Sequence, residues 1–233
     1  MAELRQITPL LDLAKILGKI GAQLIESPIK SISIKCYGNI EDSKPISLSY
    51  LIGLLQDITD TRLNFINAAI IAEERGISFS HSMDTEIISF SNMIQVSLTT
   101  QNGEVQLGGS VFGDKHFRII NVQGYGLDFR PEGNMIFVQN RDVPGVIGKV
   151  GTLLSKADVN IGEYLLGRTD NNEMAYLVIK VDGQVSSDLL EELIMSSFIF
   201  SGNSSNELGA ASKPSDELSL LVDCSCLLRF SIF

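Results

Sequence analysis

The stretch Met135-Ile136-Phe137-Val138-Gln139-Asn140-Arg141-Asp142-Val143-Pro144-Gly145-Val146-Ile147-Gly148 decides the fold of this chain, and Asn160-Ile161 completes its meaning. An apolar run ends in a polar turn, and apolar periodicity resumes at Val146. That reads as a short strand, a tight turn and a helix. Pro144 suits a helix start, because its missing N–H would be unpaired there in any case. Gly145 has no side chain to cover the backbone, so a small ligand can approach it closely. A helix N-terminus presents free N–H groups and a partial positive charge, which favours a carboxylate. Asn140 and Asp142 flank that spot with groups suited to an amino group or a hydroxyl. Asp142 also has a plainer reading as the helix N-cap, worth about 1 kcal/mol. Asn160 follows the same helix at the start of the next strand and adds weight to the ligand reading. Asp158, just before it, is expected in the left-handed conformation that Asp tolerates. The pattern suggests a small-molecule sensor, with amino acids as the leading candidates.

Working outward, Val146, Ile147, Val150, Leu153, Leu154 and Ala157 fall on one stripe of that helix. Asn160–Thr169 and Met174–Asp182 form a hairpin around Asp170-Asn171-Asn172, and a last helix covers about Ser187–Met195. A βαββα string lacking only its final strand suggests a ferredoxin-like split βαβ unit over 133–195. The tail, 196–233, is rich in Ser, Asn and Gly before an apolar end, and reads as an atypical loop or disordered extension.

Upstream lies a second unit, 5–130, bounded by Pro131-Glu132-Gly133. Leu10, Leu13, Ala14, Leu17, Ile20, Gly21 and Leu24 recur at helical spacing over Ile7–Leu24. Ile32, Ile34 and Cys36 alternate with polar residues as a strand does. Two helices follow, about Leu48–Ile58 and Leu63–Arg75, with Gly76 placed for a left-handed cap. Ile94, Val96 and Leu98 alternate before Asn102-Gly103, and Val105, Leu107 and Val111 continue after it, a strong hairpin signal. Phe117–Val122 and Tyr125–Phe129 read as two more strands. The fold class is therefore α+β: helices on a mostly antiparallel sheet, then the ferredoxin-like unit and its atypical tail.

Composition narrows the function. A net charge of -10 argues against a nucleic-acid binder and against an anionic membrane surface. No apolar run approaches the length needed to span a bilayer. Cys36, Cys224 and Cys226 are too few for a disulfide framework or a four-ligand zinc site, so no metal is expected and a reducing compartment fits. The N-terminal residues lack a secretory plan. The cytoplasm is the expected location, or a plastid if an upstream transit segment is missing.

Catalytic machinery is hard to find. His81 and His116 have no Cys, Ser or carboxylate at a recognisable catalytic spacing. No Gly-x-Gly-x-x-Gly follows a strand. Gly18-x-x-Gly21 and Gly148-x-x-Gly151 lie within helices, where close packing is the simpler explanation.

Asn134–Met195 resembles an ACT domain, the ferredoxin-like module that binds amino acids. Leu54-Leu55-Gln56, Asn64-Phe65-Ile66-Asn67-Ala68-Ala69, Ala72-Glu73-Glu74-Arg75-Gly76-Ile77 and Gly108-Gly109-Ser110-Val111-Phe112-Gly113 extend the likeness upstream. Together these residues resemble the C-terminal half of long-form D-3-phosphoglycerate dehydrogenase, an intervening "allosteric substrate-binding" domain followed by an ACT domain. That enzyme oxidises 3-phosphoglycerate with NAD in the first committed step of serine synthesis. The resemblance implies L-serine, or another small amino acid, held between ACT domains of two subunits in a homo-oligomer. Asn140 and Asp142 would come from one subunit and Asn160 from the other, with backbone near Val143 and Gly145. Pairing in the family uses the edge of the second ACT strand. The resemblance also implies an anion site at Arg118, Arg130 and Lys180, a guanidinium-rich set suited to phosphate or carboxylate. Three solvated basic residues are the plainer alternative.

The nucleotide-binding and substrate domains of that enzyme, with their catalytic Arg, Glu and His, have no counterpart in this sequence. The chain alone is expected to bind no cofactor and to oxidise nothing, NAD belonging to the full-length enzyme. A fragment, a splice product or a gene-model error would account for that and for the unfamiliar tail. A stand-alone amino-acid sensor and the regulatory part of an iron–sulfur serine dehydratase are the alternative functions.

Overall fold

Helix α1 (Ala2–Leu24) places Leu13, Ala14, Leu17 and Ile20 wholly out of solvent, the face its periodicity marked. A computed structural model describes residues 2–25, 27–84, 90–113, 116–169, 173–193 and 227–232. The chain divides into two compact units between Pro131 and Glu132.

In the first unit, α1 packs on α2 (Lys44–Leu55) and against a six-stranded sheet. Its strands are β1 (Ile29–Gly38), β2 (Ser78–Asp84), β3 (Asn92–Thr100), β4 (Glu104–Phe112), β5 (His116–Val122) and β6 (Tyr125–Phe129), in the order β2-β1-β3-β4-β5-β6. Only β1 and β2 run parallel, joined through α2 and α3 (Ala68–Glu74); every other neighbour is antiparallel. Asn102-Gly103 turns β3 into β4, with the Thr100 N–H donating to the Gly103 carbonyl at 2.8 Å. Gly76 closes α3 at φ +74°, the left-handed cap its position called for.

Two helices begin elsewhere than their apolar spacing predicts. The α2 helix starts at Lys44, ahead of Leu48. The α3 helix starts at Ala68, after the expected Leu63. Here Asn64 Oδ1 accepts from the Ile66 and Asn67 N–H groups, and Asn67 Oδ1 accepts from the Asn64 N–H. Side chains that satisfy the backbone locally hold it in turns and delay the helix.

The second unit runs β7 (Gly133–Arg141), α4 (Val146–Lys156), β8 (Ile161–Arg168), β9 (Met174–Val181), a helical segment over 187–193 and β10 (Leu227–Ile232). Its sheet order is β10-β7-β9-β8. One correction follows directly. The end of the tail expected to be loop or disorder is a strand, Leu227–Ile232, beside β7, which supplies the fourth strand that the βαββα string lacked. Tail residues 196–226, and the end of the helix expected to reach Met195, lie outside the described residues.

Period-two alternation sends Ile136 and Val138 of β7, and Leu177 and Ile179 of β9, into a core with Val146, Val150, Leu153 and Leu154 of α4. Ile147 and Ala157, expected on the same stripe, are exposed instead, Ile147 by 54%. Helix α4 begins one position before Ile147, which falls in its first turn. Val159 follows Asp158, which adopts φ +55° as anticipated, and returns the chain to the sheet.

Candidate functional site

Register builds the site. Asn140 on β7 stands opposite Ala175 on β9, and Ala175 stands opposite Arg168 on β8. Alternation puts this row on the α4 side, directly beyond the Val138–Leu177–Leu166 row of the core. The apolar floor therefore ends in a polar row where the β7–α4 turn crosses the sheet.

A cavity of about 450 Å³ opens there. Leu166 and Leu177 form its apolar part; Asn140, Asp142 and Arg168 supply its polar side chains; Val143 to Ile147 supply the turn and the head of α4. Asn140 is only 5% exposed. Its Nδ2 donates to the Arg141 carbonyl at 2.6 Å, while its Oδ1 is buried with no partner among the described residues. An orphaned acceptor of this kind costs roughly 1–3 kcal/mol unless something donates to it. Asp142 is held in place from both ends. Its N–H donates to the Glu173 carbonyl at 3.0 Å, and its carboxylate receives Arg168 Nε at 2.6 Å and Nη2 at 3.2 Å.

Asp142 is thus not the helix cap. Gly145 occupies that position at φ +96° with no side-chain cap, and Pro144 lies in the turn before the first helical residue, Val146. The left-handed backbone is why glycine stands there. The Val143 N–H donates to the Arg141 carbonyl at 2.9 Å, so that backbone donor is already engaged.

The structure brings Asn140, Asp142, Val143 and Gly145 together. Asn160 is not among the residues lining this cavity. It is exposed at the opposite end of β8, where its Nδ2 donates to Asp182 Oδ2 at 2.7 Å. Of the anion-site residues, Arg118 pairs with Asp128 and Lys180 pairs with Glu163, while Arg130 is exposed. Arg118 and Arg130 belong to the first unit and Lys180 to the second. Arg168 was not singled out by sequence. Its signal is the β8–β9–β7 register, which exists only once three strands are paired.

The two GxxG pairs separate cleanly. A Cβ on Gly18 would stand 2.7 Å from the Leu54 nitrogen, so close packing accounts for it. Gly148 and Gly151 have nothing within 4 Å of an added Cβ among the described residues, so close packing does not account for them. His81 Nδ1 lies 2.8 Å from Ser43 Oγ.

Residues 6–123, just over half of the chain, match the family described as the D-3-phosphoglycerate dehydrogenase intervening domain, and residues 134–194 match the ACT domain. The chain belongs to the D-3-phosphoglycerate dehydrogenase family. It is 30% identical over 193 residues to D-3-phosphoglycerate dehydrogenase of Synechocystis sp., covering 82% of this chain and 35% of that protein. The Bacillus subtilis dehydrogenase is 28% identical over 193 residues, covering 82% of this chain and 37% of its own length. The Archaeoglobus fulgidus dehydrogenase is 29% identical over 189 residues, covering 79% and 36%. The chain thus spans little more than a third of the dehydrogenases it matches, and that span is their intervening and ACT portion. A match to an intervening domain named for the dehydrogenase favours this family over the serine dehydratase.

Proposed function

We propose that this portion of a phosphoglycerate dehydrogenase senses a small amino acid, L-serine foremost, in the cavity at the head of α4. A second copy of the chain completes the site. The observation that carries this reading is Asn140 Oδ1, an acceptor that lines a cavity and is buried without a partner among the described residues. An ammonium or hydroxyl group is the donor it lacks. A cavity of about 450 Å³ is ample for a small polar ligand, and its mixed lining of Leu and a few convergent polar groups is the usual make-up of ligand sites.

Asn160 bears on the second copy. It cannot serve this cavity from its own position across β8, yet β8 is an edge of the sheet, opposite β10. Antiparallel pairing of two β8 edges would set the Asn160 end of one copy beside the Arg168 end of the other. Binding would then favour one arrangement of the pair, and a coupling of only about 1–3 kcal/mol is enough for regulation.

Titration calorimetry of the chain with L-serine is the test. Heat with one serine per site, lost in Asn140→Ala and weakened in Asn160→Ala, is expected. A folded dimer that gives no heat, or an unchanged isotherm in Asn160→Ala, overturns the reading. Oxidation of 3-phosphoglycerate with NAD is assigned to the part of the relatives outside the matched span. No turnover by this chain is expected, and measurable NADH production would refute that assignment.

A further inference from the structure

Arg168 is the residue of this site that neither the motif nor the apolar pattern explains. It is on an edge strand, its side chain is 57% exposed, and it holds the carboxylate of Asp142, which is 17% exposed, by two nitrogens. Both charges line the same cavity, beside the unpartnered Asn140 Oδ1. The cavity therefore presents a negative group, a positive group and a neutral acceptor within one lining.

A guanidinium carries five N–H donors in a planar fork. The contacts to Asp142 use Nε and Nη2, and the remaining donors on Nη1 and Nη2 suffice for a bidentate carboxylate. A carboxylate likewise accepts more bonds than the two it has here. Asp142 can therefore keep Arg168 oriented while accepting from a ligand ammonium. The head of α4 offers N–H groups but only a partial charge. A free amino acid brings one full positive and one full negative charge, and this lining has a fixed counterpart for each.

We propose that Arg168 is the specificity-determining residue that reads the ligand's carboxylate, oriented for that role by Asp142. The ligand class is then the zwitterionic α-amino acid rather than an amine or an amino alcohol. This rests on the reading of the cavity as an amino-acid site.

The test compares L-serine with ethanolamine, which keeps the ammonium and hydroxyl but has no carboxylate. Both are titrated into the full chain and into Arg168→Met and Arg168→Lys, with circular dichroism confirming each fold. Native chain is expected to prefer serine. Arg168→Met is expected to weaken serine by about 10- to 100-fold, the span of a charge-assisted pair. Ethanolamine should bind that variant as before or better, since a repelling charge is gone. Arg168→Lys should recover part of the serine preference. If Arg168→Met weakens both ligands alike, Arg168 merely holds Asp142 and the proposal fails while the amino-acid site stands. Unchanged serine affinity in Arg168→Met has the same meaning. If the native chain binds neither ligand, the site itself and this proposal fall together.

Discussion

Gly53 of α2 lies against the backbone of Lys15 of α1, so that a Cβ on Gly53 would meet the Lys15 carbonyl carbon at 2.9 Å and its Cα at 3.0 Å. The reverse holds one turn away, where Gly18 of α1 faces the Tyr50 carbonyl and the Leu54 nitrogen of α2. The two helices touch backbone to backbone, and neither surface has a flexible end that can give way.

Gly53→Ala should therefore destabilise the first unit by about 1–3 kcal/mol or more, the cost of overpacking a rigid contact. Gly148→Ala is the matching control. It sits in α4 with nothing within 4 Å of its added methyl, and should stabilise by about 0.5–1 kcal/mol. Urea unfolding of both variants checks the pair. Equal effects would mean that the α1–α2 contact is looser than described.

Tyr50 sits in the same contact, fully buried, with a hydroxyl that has no partner among the described residues. Burial also pushes the ionisation of that hydroxyl upward, so the group stays neutral. Removing an unsatisfied buried hydroxyl costs nothing in lost bonds. Tyr50→Phe should be neutral or stabilising by about 1 kcal/mol in urea unfolding. It should also ease Gly21→Ala, whose methyl would stand 2.7 Å from that hydroxyl oxygen. A loss of more than about 1 kcal/mol in Tyr50→Phe would reveal a partner for the hydroxyl.

Much of this was legible in the residues. Leu13, Ala14, Leu17 and Ile20 declared a buried helix face, and Ile94, Val96 and Leu98 a half-buried strand, because each pattern repeats within one element. What stayed hidden depends on distant partners. The parallel pairing of β1 with β2 follows a crossover that no local period encodes. Leu227–Ile232 reads as a strand only when β7 is there to receive it. The site divides the same way. Asn140, Asp142 and Gly145 lie close together in sequence, at the end of β7 and in the turn after it, and could be picked out together, whereas Arg168 reaches Asp142 from 26 residues along the chain. Asp142 before a helix looks like a cap until that guanidinium is in place.

Cys36 is buried in β1, and desolvation pushes its thiol up to about 12. The neutral thiol is unreactive, since the thiolate is the nucleophile. Alkylation at pH 8 followed by peptide mapping should leave Cys36 unmodified in the folded chain and modified in urea. The sign for stability follows from linkage. Below the ordinary value near 9.0 both folded and unfolded thiols are protonated, and the contribution is fully present. As pH rises from there toward about 12 the unfolded thiol ionises first, so this stabilisation is lost. Rapid alkylation of Cys36 in folded protein at pH 8 would show that β1 opens.

Gly145 holds φ +96° at the head of α4 and lines the cavity, so two effects of substitution can be told apart there. Alanine is strained in left-handed backbone by about 1–2 kcal/mol and should lower stability by that amount. Asparagine tolerates the conformation better, so Gly145→Asn should unfold at higher urea than Gly145→Ala. Yet asparagine carries the larger side chain into the cavity proposed for the ligand. Serine affinity should therefore fall further in Gly145→Asn than in Gly145→Ala, opposite to the order of stabilities. If affinity instead tracks stability across the two variants, Gly145 shapes the helix start and nothing more, and the ligand lies elsewhere along the β7–α4 turn.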